Sequence, residues 1–188
     1  MTRGELWLIR HGETEWSASG RHTSSTDLAL TAEGERKAAA VGRLLAGKIF
    51  ALALASPLRR AVETCRLAGY APEVTPDLRE WGYGAYEGLT TAEIQIQKTG
   101  WTIWTDTPPG GESAEEVGAR ADRVIAQAAA AGGDVALFGH GHMLRVLAAR
   151  WLGLDPTGGR LFALSTGSVS VLGYERETRV VQGWNRTA

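Results

Sequence analysis

The stretch Leu6-Trp7-Leu8-Ile9-Arg10-His11-Gly12 constrains this chain more than any other. An apolar run meets a cation, an imidazole and a glycine. A short apolar run that stops at glycine reads as a buried strand ending in a turn. The pattern returns late in the chain, where Asp134 to Phe138 runs into Gly139-His140-Gly141-His142. A third such run, Ile49 to Ala55, stops at Ser56-Pro57. Runs this apolar suit strands of a parallel sheet covered on both faces.

Helical signals fill the gaps between these runs. Thr31 reads as the N-cap of a helix reaching about Ala46, with Ala38, Val41 and Leu45 on its apolar face and Gly47 closing it. Pro57 suits the first turn of a helix that buries Leu58, Ala61 or Val62, Cys65 and Ala68. Ser113 to Glu116 matches a capping box, opening a helix with Val117, Ala121, Val124 and Ala128 on one side, which Gly132-Gly133 ends. Met143 to Leu152 reads as a helix with Leu144, Leu147 and Trp151 inward. Short helices are expected near Thr14–Ser17 and Thr91–Lys98, and a short strand near Glu73–Thr75. Leu161–Leu164, Ser168–Tyr174 and Thr178–Trp184 read as terminal strands, the last two as a hairpin. Residues 20–27, 78–88 and 99–112 read as loops; Trp101 and Trp104 in the last are core anchors or a lid. The class is therefore α/β, a mostly parallel sheet with an antiparallel edge and helices on both faces. With 188 residues, one domain over 1–188 is expected.

Composition narrows the partners. Lys plus Arg is 20 and Asp plus Glu is 21, so no basic excess marks a nucleic-acid binder. Attraction for anions must be local. One cysteine, Cys65, excludes an internal disulfide framework and reads as a small core residue. No apolar h-region follows Met1-Thr2-Arg3-Gly4-Glu5, and no run approaches a membrane span. A cytoplasmic chain with no membrane partner is expected.

All four histidines, His11, His22, His140 and His142, fall in expected loops. His11 and His140 end strands, so a parallel sheet would set them on one rim, where ligands bind. Gly12 would let a backbone N–H approach the ligand. Arg10 lies beside His11, and Arg60 opens the helix after the second strand. Arginines and histidines converging there make a pocket for a doubly charged oxyanion, phosphate above all. There is no P-loop and no cluster of Asp to bind Mg²⁺. Covalent phosphohistidine chemistry follows, with Glu80 as the candidate acid. A zinc site is disfavoured, because no His/Cys spacing fits and the arginines would repel the cation.

Four blocks now stand in order: Arg10-His11-Gly12-Glu13-Thr14, Ser56-Pro57-Leu58-Arg59-Arg60-Ala61, Leu78-Arg79-Glu80 with Gly84 to Gly88, and Gly139-His140-Gly141. Together they resemble the histidine phosphatase (phosphoglycerate mutase-like) superfamily. The resemblance spans Leu6 to about Arg150. It implies a three-layer αβα sandwich, no cofactor and no metal. It implies His11 as the phosphorylated nucleophile, Arg10, Arg60 and His140 as the phosphoryl clamp, and Glu80 as proton donor. His22, Thr23 and Gly141 join the substrate-binding set. Gly20 to Thr23 with Asp27, Leu30 and Thr31 look most like the acid-phosphatase and sedoheptulose-bisphosphatase branches. Ser17 departs from the Asn that many members carry as an extra phosphate contact. The implied activity is hydrolysis of phosphomonoesters of small metabolites such as sugar phosphates. The rivals are a phosphoglycerate mutase-type phosphotransferase and a non-catalytic phospho-ligand module. A homodimer is left open. Arg59 reads as solvated, Glu13 as an orienting residue, and Glu87 as a weaker rival to Glu80. His142 reads as a helix-start residue or a pocket residue.

Overall fold

A computed structural model describes residues 4–188; Met1 to Arg3, part of the segment expected to carry no leader, lie outside the described residues. β1 (Leu6–Arg10) pairs in parallel with β4 (Val135–Gly139) and antiparallel with β5 (Val169–Glu175). β2 (Leu52–Ala55) lies on the other side of β4, then β3 (Glu73–Val74), while β6 (Thr178–Arg186) hairpins onto β5. The order is β3-β2-β4-β1-β5-β6, a mostly parallel six-stranded sheet with an antiparallel edge.

Helices cover both faces, which is why β1 and β4 are apolar on consecutive positions. Leu6, Leu8, Val135 and Leu137 pack under α5 (Ala114–Ala130) and α6 (Gly141–Trp151). Ile9, Ala136 and Phe138 point the other way, under α2 (Ala32–Leu44) and α3 (Arg59–Leu67). Cys65 is buried in that second cluster, and burial pushes its thiol up to about 12. The expected faces of α2 and α5 are inward, and Thr31 and Ser113 cap them as read. α1 (Glu15–Ala18) and α4 (Thr91–Gln97) are the two short helices. No helix among the described residues is long and apolar enough to cross a membrane.

Three local readings need correction. The strand expected from Ile49 begins only at Leu52, and Ile49 is 89% exposed. Pro57 sits before the N-cap Leu58 rather than inside α3's first turn. The strand expected over Leu161–Leu164 is absent; Pro156–Leu161 forms a 3₁₀ helix and Leu161 is 69% exposed. Its Pro and two glycines favour a turn over an extended chain.

Candidate active site

Register builds the site. Arg10 on β1 pairs with Gly139 on β4, so the next residues, His11 and His140, leave the sheet side by side. Their rings meet edge to face with centroids 5.1 Å apart. On β2 the pairing of Ala55 with Phe138 places Ser56 beside them.

His11 is 5% exposed. Its Nδ1 lies 2.6 Å from the Gly12 carbonyl oxygen. A carbonyl only accepts, so Nδ1 carries the proton and Nε2 keeps the lone pair. Gly12 therefore serves through its carbonyl, contrary to expectation. Its N–H donates to Thr64 Oγ1 at 3.0 Å, and a Cβ there would lie 2.2 Å from the Gly34 oxygen. The glycine is needed for close packing against α2.

Arg10, His11, His22, Thr23, Glu80 and Gly141, all expected in the site, line a cavity of about 170 Å³. Arg10 donates through Nη1 to the Leu164 carbonyl, whereas its buried Nε has no hydrogen-bond partner among the described residues. Glu80 is held by three backbone N–H groups. Trp81 and Met143 donate to Oε1 at 2.8 and 2.9 Å, and His142 donates to Oε2 at 3.0 Å. Two of these donors belong to the first turn of α6, where free N–H groups suit a carboxylate.

Arg60 and His140 stand behind this lining, both fully buried. Arg60 donates from Nε to His140 Nδ1 (3.2 Å), from Nη1 to the Thr26 oxygen (2.9 Å), and from Nη2 to the oxygens of Thr23 and Ser24 (each 3.2 Å). His140 Nδ1 thus accepts, and its Nε2–H donates to Ser56 Oγ at 2.8 Å. His11, His22 and His142 line the cavity and His140 packs against His11. α6 begins at Gly141, two residues earlier than expected, with His140 as its N-cap and His142 in its first turn.

Other readings resolve on contact. Glu87 accepts from the N–H groups of Ser24 (2.9 Å) and Thr26 (3.0 Å) and from the Ser24 hydroxyl, a loop-bracing role. Glu13 accepts from Thr31 Oγ1 at 3.0 Å and pairs with Lys37. Arg59 pairs with Glu63 on the surface. The Ser17 hydroxyl is engaged with Thr14 at the start of α1, although Ser17 also lines the cavity. Trp101 is buried, with Tyr86 at 5.2 Å and His22 at 5.6 Å, while Trp104 packs on Trp81 and His142; neither is a free lid. The sequence reading missed Tyr83, Arg21 and Arg145 in the cavity wall. Arg145 hydrogen-bonds the Gly159 oxygen at 3.1 Å and lies 4.6 Å over the Trp104 ring. Its only sequence signal is a cation one turn into the helix after Gly139-His140-Gly141.

Burial, then the Arg60 charge, hold His11 and His140 well below the usual imidazole value. In the unfolded chain both regain about 6.5. Their folded-state pKa is depressed, so below about pH 6.5 the native state binds fewer protons than the unfolded chain. Stability is fully present above that pH and is lost on acidification. The expected slope approaches about 1.4 kcal/mol per pH unit per histidine. Urea unfolding at pH 7.5, 6.5 and 5.5 checks this; a constant midpoint over that window rejects the neutral pair.

Comparison with known proteins agrees with this geometry. The chain is 42% identical over 180 residues to an acid phosphatase of Mycobacterium tuberculosis, covering 93% of this chain and 88% of that one. It is 36% identical over 181 residues to a sedoheptulose 1,7-bisphosphatase of Saccharomyces cerevisiae, covering 78% and 67% respectively. A solved structure of a Mycobacterium tuberculosis open reading frame superposes with a TM-score of 0.94 at 39% identity, covering 98% of each chain. The family model for the histidine phosphatase superfamily (branch 1) matches residues 6–187, and with two histidines on adjacent strand ends, an arginine and a carboxylate gathered at one rim, the chain belongs to that family.

Proposed function

We propose that this protein hydrolyses phosphomonoesters of small metabolites, sugar phosphates among them, through a phosphohistidine on His11. It is a phosphoric monoester hydrolase of the histidine phosphatase type. One observation carries the residue assignment: His11, Arg10 and Glu80 line one small cavity, His11 with its proton held on Nδ1 and Arg10 with an Nε–H that has no partner among the described residues.

In the first step His11 Nε2 attacks phosphorus in line, and the bond from phosphorus to the ester oxygen breaks. Glu80, protonated, gives its proton to the departing alcohol oxygen. Arg10 Nε–H binds a phosphoryl oxygen as charge develops. In the second step Glu80, now a carboxylate, takes a proton from water; the water oxygen bonds to phosphorus and the N–P bond breaks. Thr23, His22 and Gly141 flank the alcohol side. Arg60 supports this step through its charge, and the neutral His140 ring packs edge to face on His11 and holds it in place. The Gly12 carbonyl keeps the proton on Nδ1, so His11 stays the neutral Nδ1–H tautomer with Nε2 free to attack. The cytoplasm suits such a substrate and the reduced thiol of Cys65; sedimentation decides between a monomer and a homodimer.

Glu80→Gln tests the acid. Alkyl phosphates should slow by about 10²–10⁴-fold. p-Nitrophenyl phosphate, whose leaving group needs little protonation, should slow less in the first step, so that acid-labile phosphate accumulates on the protein. Equal rates for variant and wild type on both esters reject Glu80. Incubation with 3-phosphoglycerate separates hydrolysis from transfer: free phosphate supports the reading, and conversion to 2-phosphoglycerate sinks it.

A further inference from the structure

Two cavity residues, Tyr83 and His142, take no part in the steps above. Tyr83 is 2% exposed, and its hydroxyl lies 2.5 Å from His142 Nδ1. Burial, with the Glu80 charge next, raises the phenol well above its usual value. Burial, then Arg145 and His22, hold the His142 imidazole well below its own. Both groups are neutral near pH 7.

A neutral pair leaves two arrangements. If His142 Nδ1 carried the proton, the phenol hydrogen would need another acceptor. Among the described residues the Tyr83 hydroxyl has no second partner. A buried, unmade hydrogen bond costs about 1–3 kcal/mol. The phenol therefore donates to Nδ1, and His142 carries its proton on Nε2.

Nε2 has no hydrogen-bond partner among the described residues, and the ring lines the cavity. The ring cannot easily turn: Trp104 packs on it at 5.2 Å, Tyr83 at 5.9 Å and Trp81 at 6.3 Å. The backbone N–H of the same residue donates to Glu80 Oε2 at 3.0 Å. One residue thus holds the proposed proton donor with its main chain and faces the cavity with its side chain.

We infer that Tyr83 locks His142 in the Nε2–H tautomer, and that this N–H binds an oxygen on the alcohol portion of the substrate. The substrate half rests on the phosphatase reading above; the tautomer half does not. The ligand this favours is a phosphate ester of an alcohol that carries further oxygen atoms, such as a sugar. Tyr83 is then a positioning residue, acting through His142.

The tautomer is read by two-bond ¹H–¹⁵N correlation spectra of the ¹⁵N-labelled full chain at pH 7, with His142→Gln assigning the signals. The expected pattern is Nε2–H in the wild type and a mixture in Tyr83→Phe. The substrate half is read from the ratio of kcat/KM for ribose 5-phosphate to that for p-nitrophenyl phosphate, which lacks ring hydroxyls. That ratio should fall about tenfold in His142→Ala and Tyr83→Phe, the loss of one hydrogen bond. His142→Gln, whose amide N–H can occupy the Nε2 position, should recover most of it. An Nδ1–H pattern in the wild type overturns the lock, as does a Tyr83→Phe spectrum identical to it. A ratio unmoved in His142→Ala overturns the substrate contact. No wild-type turnover of either ester, with Nε2–H present, sinks the phosphatase reading and the substrate half together while the tautomer stands.

Discussion

His11→Ala is expected to end turnover of p-nitrophenyl phosphate, lowering kcat on the order of 10⁵-fold, as removal of a nucleophile does. The fold should survive. The imidazole is buried beside His140, and truncation removes one hydrogen bond, Nδ1–H to the Gly12 oxygen. That loss leaves a carbonyl unpaired and costs about 1–3 kcal/mol. Part of it is returned, because a desolvated imidazole next to the Arg60 charge is itself unfavourable at low pH. His140→Ala is the matched control. His140 has both nitrogens engaged, with Arg60 and Ser56, so neither lone pair is free to attack. Rapid quench in alkaline detergent, which preserves an N–P bond that acid would break, should show phosphate on wild type and His140→Ala, and none on His11→Ala. Turnover retained in His11→Ala would displace the nucleophile to another residue.

The sheet was legible because its central strands are buried on both faces. Their apolar runs stop at glycines, and a run needs no partner to be seen. The caps at Thr31 and Ser113 were legible because each is a contact across three residues. Leu161–Leu164 was misread for the opposite reason. Its short run has no period of its own, and the turn residues just before it decided the conformation. The candidate site was legible as residue types and hidden as geometry. Sequence placed Arg60 and His140 with the phosphate, yet loop 23–26 and Ser56 take their donors, and no local pattern reveals those partners. Gly12 was read for its N–H, while the carbonyl on the same residue sets the His11 tautomer. Tyr83 and Arg145 join the cavity only because distant elements pack there.

Arg120 is the extreme case of such a hidden residue, and its removal should have the largest effect on stability. It sits on the inner side of α5, 7% exposed. Its Nε and Nη2 grip the two Glu112 oxygens at 2.8 and 2.7 Å. Its Nη1 donates to the carbonyls of Asp77 (2.8 Å) and Arg79 (2.9 Å). Glu112 in turn accepts the Gly82 N–H at 2.8 Å. Arg120 thus clasps the segment that carries Glu80 from both sides. Arg120→Met keeps much of the volume and removes every donor. It strands a part-buried carboxylate and the carbonyls of Asp77, Arg79 and Glu80, at a cost of about 3–5 kcal/mol. For a chain of this size that lowers Tm by roughly 6–20 °C. Glu80 then loses its fixed position, so kcat should fall tenfold or more at temperatures where the variant is still folded. Glu112→Gln in the same background should recover part of the stability, because the uncompensated charge is gone, with a coupling of about 0.5–3 kcal/mol. A Met variant that melts within about 2 °C of the wild type, a shift worth only about 1 kcal/mol, would mean the clasp is ornamental and that the loop holds Glu80 unaided.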